Sequence, residues 1–583
     1  MYFSEVAHSF DQIDQTSSRL EITSLLAHLL KQADPIEAAI IVNLALGALH
    51  PAYMGTRFNF AQKSFIGVLA EFGSISKHEV VEAVNKFGDL GVVAQALNKG
   101  ENLLPLTVTE IYERLLHLEK ISGIGSQEQK TSFVVQLLRE LNPLCAKFVV
   151  RIITATLRLG FSDMTLVDAL SWMEAGNKSL RVPLEEAYNI CSNLGFVAKT
   201  LKAEGIEGVK KIQEQPGMPV RLAAAERLAS PEAIIKKLGP CVAQPKIDGM
   251  RLQAHVENEK GTRFVKLFSR NLLDVTEMFP DIVAALEKIE VDKMIIDGEA
   301  VSHNTVTDTF LPFQETAKRR RKYEVAQLTQ DFPMRYYVFD ILYLSGHDLI
   351  EAPYTERRAL LAKVLEKNEQ DVVRLIDQVS INSAQELEAY FLEMVEAGLE
   401  GVMVKKPTAV YQAGKRNFNW IKLKRLAGSE LEDSIDVVVL GYYHGAGKRA
   451  SFGIGAFLVG VYDKKRDRFE TVAKVGTGLS DVAWHELKKR CDAVAVAEKP
   501  KNVECAKELQ PAVWTAPEIV CTIRADEITL SPVHTAGKTE DHLGFALRFP
   551  RFMTYRSDKA PEQATEISEL RQLFKDQRVR KIT

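Results

Sequence analysis

The 583-residue sequence has few cysteines and no mark of export or membrane insertion. Its six cysteines are scattered without a CxxC pair, which argues against a zinc site and against a disulfide framework. The longest apolar run, residues 38–49, is interrupted by Asn43 and is shorter than the ~20 residues of a membrane span. The first residues include acids and no basic stretch, so we expect no signal peptide. These absences predict a cytoplasmic protein without membrane association.

A strong net charge is also absent. The 74 Lys and Arg residues against 77 Asp and Glu residues leave a formal charge of −3, so the chain as a whole is not a polycation. Any nucleic-acid binding must therefore use local basic surfaces. One such stretch is residues 404–425, which hold seven Lys and Arg residues and no acid. This one-sided composition favours a surface that faces phosphate groups over a solvated basic face.

Residues 1–215 are predicted to form an all-α domain. Ser18 and Glu21 have the spacing of a capping box, and apolar residues recur on one helical face behind them. A later apolar stretch, residues 148–160, is predicted as a helix that stops at Gly160.

The remaining chain is predicted to form an α+β domain over residues 216–427 and a small β-barrel domain over residues 428–583. The first of these begins after a Pro- and Gly-containing break, and its residues 252–257 alternate between apolar and polar as in a half-buried strand. The second has short strands separated by glycine-bearing turns and ends in a helix with a basic tail.

The KIDG segment that begins at Lys246 is the centre of the predicted chemistry. A lone match to this pattern is common by chance, and its plain interpretation is a surface turn. The functional interpretation is a lysine nucleophile at the mouth of a pocket. Lysine attacks phosphorus only as the neutral amine, so neighbouring cations or desolvation must favour that form.

Five further motifs follow the lysine in order: SRN from Ser269, DGE from Asp297, FDI from Phe339, EGVMVK from Glu400 and WIKLK from Trp420. This ordered set resembles the covalent nucleotidyltransferase superfamily of ATP-dependent ligases and mRNA capping enzymes. A nucleotidyl transfer needs a nucleophile, a metal that neutralises phosphate charge, cations around the α-phosphate and a slot for the base. The motifs contain residues suited to each task.

Two more segments narrow the resemblance. The segment LRFPRF from Leu547 to Phe552 is similar to the last motif of DNA ligases, and residues 151–170 resemble the DNA-binding domain of replicative-type ligases of archaea and eukaryotes. This likeness covers nearly the whole chain. It implies a helical DNA-binding domain (1–215), an adenylation domain (216–427) and an OB-fold domain with a C-terminal helical tail (428–583).

The resemblance also implies a role for each matched residue. Lys246 would form the covalent bond to AMP. Nucleotide contacts would come from Gln244, Arg251, Arg270, Glu299, Phe339, Arg416, Lys422 and Lys424. Glu299 and Glu400 would hold Mg²⁺, which proteins commonly bind through one or two carboxylates together with phosphates and water. Arg548 and Lys559 would belong to the barrel surface that closes over ATP.

The activity implied is ATP-dependent sealing of nicks in duplex DNA during replication, repair and recombination. AMP would pass from ATP to the lysine, then to the 5′-phosphate of the nick, before the 3′-hydroxyl displaces it. A monomer is expected, associated with the nucleoid if the host is a prokaryote. The sequence shows no clear clamp-binding motif, so a sliding clamp is a partner that only the resemblance suggests.

Several positions depart from the family pattern or have more than one interpretation. Gln244 stands where the family usually has glutamate, and an amide donates hydrogen bonds as well as accepting them. The resemblance implies that the barrel closes over ATP in the first step and turns toward the nick in the later steps, and we expect the hinge of this swing at residues 426–432. Arg319, Arg320 and Arg321 are compatible with a DNA contact or with a solvated loop. The glycines at positions 445, 447, 453 and 455 suit barrel turns better than a phosphate-binding loop.

Three alternatives compete with the DNA ligase hypothesis. An NAD-dependent DNA ligase shares the lysine motif, but that family carries a four-cysteine zinc site that this cysteine spacing does not offer. An RNA ligase or capping guanylyltransferase is disfavoured by the long helical N-terminal region and the LRFPRF segment. A DNA-binding protein with an inactive core is disfavoured because every predicted catalytic residue is present.

Overall fold

The computed structural model describes residues 1–583 except 61, 101, 158, 260, 304–309, 312–315, 317, 320–324, 369–370, 398, 425–433, 446–451, 526 and 580–583. The chain divides into two compact units, Met1–Lys424 and Arg425–Thr583. No helix among the described residues is long and apolar enough to cross a bilayer. The predicted hinge at residues 426–432, and Gly447, lie outside the described residues.

The first part of the larger unit is helical and shares one apolar core. Its helices are α1 Phe3–Asp14, α2 Arg19–Gln32, α3 Pro35–Ala45, α4 Gln62–Gly73, α5 Lys77–Phe87, α6 Leu90–Leu97, α7 Val108–Lys120, α8 Ser126–Glu140, α9 Pro143–Ile153, α10 Asp163–Ala175, α11 Arg181–Cys191 and α12 Leu194–Val209. Ser18 caps α2 because its side chain accepts the Glu21 backbone N–H, as its spacing predicts.

The predicted helix stop at Gly160 is wrong. Helix α9 already ends at Ile153. Ala155 has φ 53°, a left-handed conformation that a continuing α-helix does not accommodate. The Thr154 hydroxyl also donates to the Val150 carbonyl at 2.7 Å, which gives one carbonyl in the last turn a side-chain partner.

The second part of the larger unit contains two sheets. The first has the order β1–β11–β10–β2–β9, with β1 Ala224–Arg227, β2 Cys241–Pro245, β9 Val379–Ile381, β10 Gly401–Lys405 and β11 Arg416–Lys424. The second has the order β4–β3–β5–β6–β7, with β8 on β6; its strands are β3 Met250–Glu259, β4 Thr262–Ser269, β5 Lys293–Ser302, β6 Met334–Leu344, β7 His347–Asp348 and β8 Val373–Leu375. The helices here are α13 Pro231–Leu238, α14 Pro280–Leu286, α15 Val325–Asp331, α16 Tyr354–Lys367 and α17 Ala384–Glu396.

Strand β3 is buried on both faces, so its prediction as half-buried is wrong. Gln253 and His255 point away from the apolar core but are also fully buried. The connecting segment that follows α12 covers them: the Val220 N–H donates to Gln253 Oε1 at 2.8 Å, and the Gly217 N–H donates to His255 Nδ1 at 3.2 Å. Polar residues in a strand therefore pair here with another segment's backbone and not with water.

Both interpretations of Arg319, as a DNA contact and as part of a solvated loop, are also wrong. Its side chain is buried and makes two hydrogen bonds to Asp281, at 2.7 and 3.0 Å, with further bonds to the carbonyls of Met278 and Phe332. A buried arginine with these partners is structural. Arg320 and Arg321 lie outside the described residues.

The smaller unit is β-rich. Its main sheet has the order β15–β17–β12–β13–β14–β16, extended by β18 and β21, and a separate hairpin pairs β19 with β20. The strands are β12 Ile435–Tyr443, β13 Ala456–Asp463, β14 Arg468–Val475, β15 Ala495–Val496, β16 Val503–Glu504, β17 Val513–Thr515, β18 Val520–Arg524, β19 Glu527–Ser531, β20 Gly544–Arg548 and β21 Arg551–Tyr555; the helices are α18 Asp481–Ala493 and α19 Ile567–Val579. Gly445, Gly453 and Gly455 lie in the turn between β12 and β13, as barrel turns predict.

Candidate active site

The candidate nucleophile follows directly after a central strand. Lys246 comes one residue after β2, and its backbone N–H donates to the Gly401 carbonyl at 2.9 Å. The Glu400 N–H donates back to the Lys246 carbonyl at 3.2 Å. Gly249 is required nearby, because a Cβ at this position would lie 2.4 Å from the Ala300 carbonyl oxygen. The backbone therefore fixes the lysine beside the start of β10.

Glu400 bridges two lysines. One of its carboxylate oxygens accepts a hydrogen bond from Lys246 Nζ, and the other accepts one from Lys424 Nζ. Burial alone would raise the pKa of Glu400, but the two lysines overcome this effect and lower it. The carboxylate is thus held ionised between the two lysines, and it fixes the position of the Lys246 amine.

A group of cations surrounds this bridge. Burial lowers the pKa of the Lys422 ammonium, and the nearby charges of Lys424, Arg416, Lys246 and Arg270 lower it further. Within the part of the chain that the structure describes, Arg270, Arg416 and Lys422 form no ion pair. Cations kept together without acids form a site for a polyanion.

Arg251 connects the acidic and the aromatic residues of the site. It makes two hydrogen bonds to the buried Asp297, at 3.0 and 2.5 Å, and its guanidinium also lies over the rings of Phe339 and Trp420 at 5.3 and 5.4 Å. Arg251 faces Glu299 in the pairing of β3 with β5. Its planar group is therefore held rigidly between the carboxylates and the aromatic side chains.

Glu299 is a buried carboxyl group of this site whose charge is only partly compensated. Burial raises its pKa to about 8, and Asp297 and Asp248 contribute in the same direction, against the opposing charges of Lys246 and Arg251. A carboxyl group in this environment gains from a nearby divalent cation, since the cation restores its ionised form. Glu299 and Glu400 therefore fit Mg²⁺ as oxygen donors, together with phosphate and water.

Aromatic side chains form the other end of the pocket. Phe339 is half-buried and meets Trp420 edge-on at 5.9 Å. The buried Lys405 ammonium lies over three rings, those of Phe339 at 4.8 Å, Tyr354 at 4.5 Å and Trp420 at 4.3 Å, and donates to the Phe339 carbonyl at 3.0 Å. Burial lowers the pKa of Lys405 to about 7.

Gln244 is also buried at this end of the pocket. Its amide nitrogen donates to the Tyr354 hydroxyl at 2.7 Å and to Gln378 Oε1 at 3.3 Å. The Tyr354 hydroxyl in turn donates to Gln378 Oε1 at 2.6 Å. The predicted residue thus belongs to a network that includes Gln378, which the sequence did not single out.

All the predicted residues of the larger unit are therefore collected around one pocket. The sequence also failed to assign a role to Tyr354, and to Lys405 although it ends the EGVMVK motif. Gln378 carries no sequence signal, because its place depends on how β9 pairs with β2. Among the described residues, no three His, Cys, Asp or Glu side chains form a metal-binding cluster of their own.

The matched cations of the barrel have different surroundings. Lys559 and Arg556 both contact Asp436, at 2.6 and 2.9 Å, and Arg556 also pairs with Asp558 at 2.7 Å. Arg548 pairs with Glu527 at 2.5 Å. Each of these cations is balanced by an acid from the same unit.

Three family models match this sequence in succession. Residues 2–171 match "DNA ligase N terminus", residues 223–424 match "ATP dependent DNA ligase domain" and residues 450–559 match "ATP dependent DNA ligase C terminal region". Each match lies within one of the three predicted regions, and the matches follow the predicted order.

Curated relatives match over their full length. A "Probable DNA ligase" of Dictyoglomus turgidum is 42% identical over 100% of this chain and 99% of its own. The "DNA ligase" of Sulfolobus acidocaldarius is 35% identical, again over 100% of this chain and 99% of its own. A solved structure named "Pmar-Lig_Pre." has a TM-score of 0.54 at 18% identity, covers 95% of this chain and 99% of its own, and is similar in fold.

Proposed function

Because this chain belongs to the family of ATP-dependent DNA ligases, we propose that Lys246 is its AMP-carrying residue and that the pocket around it binds ATP. This membership confirms the family that the ordered motifs predicted, and with it the three-part fold class. It also confirms that the enzyme uses ATP and Mg²⁺ to join DNA through a lysyl-AMP intermediate. The observation that carries the residue assignment is the position of Lys246 Nζ, bridged by Glu400 to Lys424 beside unpaired cations.

In the first step, neutral Lys246 Nζ attacks the α-phosphorus of ATP. The new N–P bond forms as the bond to pyrophosphate breaks, and the amine loses its proton. Lys422, Lys424, Arg270 and Arg416 stabilise the negative charge that develops on the phosphate oxygens. Arg251, held by Asp297, orients the nucleotide between its phosphates and the aromatic end of the pocket.

In the second step, the 5′-phosphate of a nicked strand takes AMP from Lys246. The 3′-hydroxyl then attacks that phosphate, and AMP leaves as the phosphodiester bond forms. Bound Mg²⁺ supplies neutralisation of phosphate charge, and Glu299 and Glu400 would hold it. The same cations serve all three steps, because AMP stays in the pocket until the final displacement.

We propose the same three-domain division as the sequence predicts. Residues 1–215 bind DNA, residues 216–427 bind ATP and residues 428–583 form the barrel. Arg548 and Lys559 would contact the nucleotide from the barrel in the first step. A monomer suffices, since one chain supplies every residue named. The proposed place of action is the cytoplasm, on the nucleoid if the host is a prokaryote.

The test uses ATP labelled at the α-phosphate, with Mg²⁺, followed by a denaturing gel. We expect label on the wild-type chain, its loss when nicked duplex DNA is added, and no label on Lys246→Ala. Lys363→Ala is the control, because Lys363 is exposed on α16 and should label normally. Label from NAD but not from ATP, or label retained by Lys246→Ala, would refute the proposal.

A further inference from the structure

One row of side chains crosses the first sheet on the pocket face. The pairings place Lys422 of β11 opposite Met403 of β10, and Met403 opposite Gln244 of β2. The β2–β9 register pairs Ala243 with Val379, so its next step brings Gln378 opposite Gln244. Lys422 and Gln244 are therefore two strand spacings apart, roughly 10 Å. The phosphate-binding cations stand at one end of this row and the two glutamines at the other.

The same end of the row adjoins Phe339. The Ile376 N–H donates to the carbonyl of Val338, the residue before Phe339, at 3.0 Å, and this bond anchors the turn that carries Gln378. Tyr354, which joins the two glutamines, shares the Lys405 ammonium with Phe339. The glutamines therefore border the aromatic end of the pocket, where a base would lie if the phosphates contact Lys422.

The hydrogen bonds decide which way each amide faces. Both amide hydrogens of Gln244 are engaged, one by the Tyr354 hydroxyl and one by Gln378 Oε1. Gln378 Oε1 also accepts from Tyr354, so its acceptor side is engaged as well. Among the described residues, neither Gln244 Oε1 nor Gln378 Nε2 takes part in a hydrogen bond. The network thus leaves one acceptor and one donor free.

A free acceptor beside a free donor matches adenine. Adenine presents an N6 amine, which donates, next to N1, which accepts. Guanine and hypoxanthine present O6, which accepts, next to N1–H, which donates. An amide pair held in one orientation therefore discriminates between these edges, as bidentate amide contacts to adenine do elsewhere. In this arrangement Gln244 offers the acceptor that a glutamate would offer, and its donors are used internally.

We propose that Gln244 and Gln378 form an amide pair that selects adenine, with Gln378 as the donor to N1 and Tyr354 as the positioning residue that fixes both amides. This inference rests on the proposed ATP site. It explains why an amide is tolerated at position 244. It also assigns nucleotide selectivity to Gln378, a residue outside every recognised motif.

The test compares labelling from ATP with labelling from inosine triphosphate, whose base is hypoxanthine. Wild type should prefer ATP by roughly 100-fold in labelling efficiency. In Gln378→Glu the group facing N1 becomes an acceptor, while the bonds from Tyr354 and Gln244 are kept. We expect the ATP-to-ITP ratio to fall at least tenfold, with ITP labelling at or above the wild-type level. Loss of folding cannot produce that gain.

Tyr354→Phe is the second variant, because without the hydroxyl both amides can rotate. We expect its ratio to fall about tenfold, with thermal stability measured alongside. Gln385→Glu, exposed on α17, adds the same charge outside the pocket and should keep the wild-type ratio. Ratios that do not change in Gln378→Glu, or ATP and ITP labelling that fall together, would overturn the amide pair. A wild-type chain that takes no label from ATP would instead overturn the proposed function.

Discussion

The cations that we assign to ATP fall into two groups that differ in how their charge is balanced. In the larger unit, Arg270, Arg416 and Lys422 stand close together, and no ion pair among the described residues neutralises them. In the barrel, Lys559 shares the buried Asp436 with Arg556, and Arg548 pairs with Glu527.

The two arrangements suit different tasks. Unpaired cations create a positive potential that attracts a triphosphate and stabilises negative charge in the transition state. The same cations repel one another, which destabilises the fold. Paired cations are stable without a ligand, but they must exchange their acid partner before they bind phosphate. The pocket cations therefore need no rearrangement before they bind a phosphate, whereas the barrel cations would first have to leave their acid partners.

The largest expected effect comes from the unpaired group. Lys422→Met should reduce the rate of lysyl-AMP formation about 100-fold, since one preorganised charge contributes about 3 kcal/mol to a transition state. Its stability should not fall, because the change removes repulsion from Lys424 and Arg416. Single-turnover labelling and thermal unfolding measure the two quantities.

Lys415→Met is the matched control for this change. Lys415 lies just before β11, is 43% exposed and pairs with Glu186. It should label at the wild-type rate. If Lys422→Met unfolded at a much lower temperature and labelled normally, the contrast between the two groups would be wrong.

The next effect tests the paired group. Asp436→Asn should destabilise the barrel by about 2–3 kcal/mol, because it leaves Arg556 and Lys559 partly buried without their acid. Asp558→Asn removes another acid from the same Arg556, but Asp558 is 64% exposed, so a much smaller loss of stability is expected because water screens the pair. Amide hydrogen exchange of β12 and β18 localises the change. Equal losses of stability in the two variants would show that burial does not determine how strongly these acids stabilise the barrel.

Much of the site could be predicted because it is local in sequence. Lys246, Glu299, Phe339 and Glu400 each lie within a short motif, and alternation along β11 already puts Lys422 and Lys424 on one face. The order of the motifs predicted that these residues meet in one pocket. It did not predict any distance between them.

Apart from the early end of α9 at Ile153, which has a local cause, the misses depend on contacts between residues that are distant in sequence. The burial of Arg319 is set by Asp281, and that of His255 by the backbone at Gly217, 38 residues away. The position of Gln378 follows from strand register. Periodicity reports which face of an element is apolar, but it does not report what covers the other face.

A buried acid without a cation is a third arrangement of charge, and we expect its substitution to have the smallest effect. It extends the comparison between paired and unpaired cations to an unpaired acid. Glu214, in the segment after α12, is 2% exposed, and no described donor reaches either carboxyl oxygen. Burial raises the pKa of Glu214 to about 9, and the nearby Asp348 and Glu351 contribute in the same direction. Glu214 therefore keeps its proton at neutral pH and can donate a hydrogen bond to Asp348.

Between an unfolded pKa near 4.5 and this folded pKa, the folded chain binds the extra proton, so stability falls as pH rises. Glu214→Gln keeps a donor at every pH and should be more stable than wild type by about 1 kcal/mol at pH 7, with a difference that grows toward pH 9. Unfolding midpoints at pH 6, 7 and 8 measure this trend, and Glu207→Gln, exposed on α12, is the control that should not show it. A stability difference that is constant with pH would mean that Glu214 is ionised in the folded protein, and that the interior of the larger unit tolerates unpaired charge as readily as its pocket does.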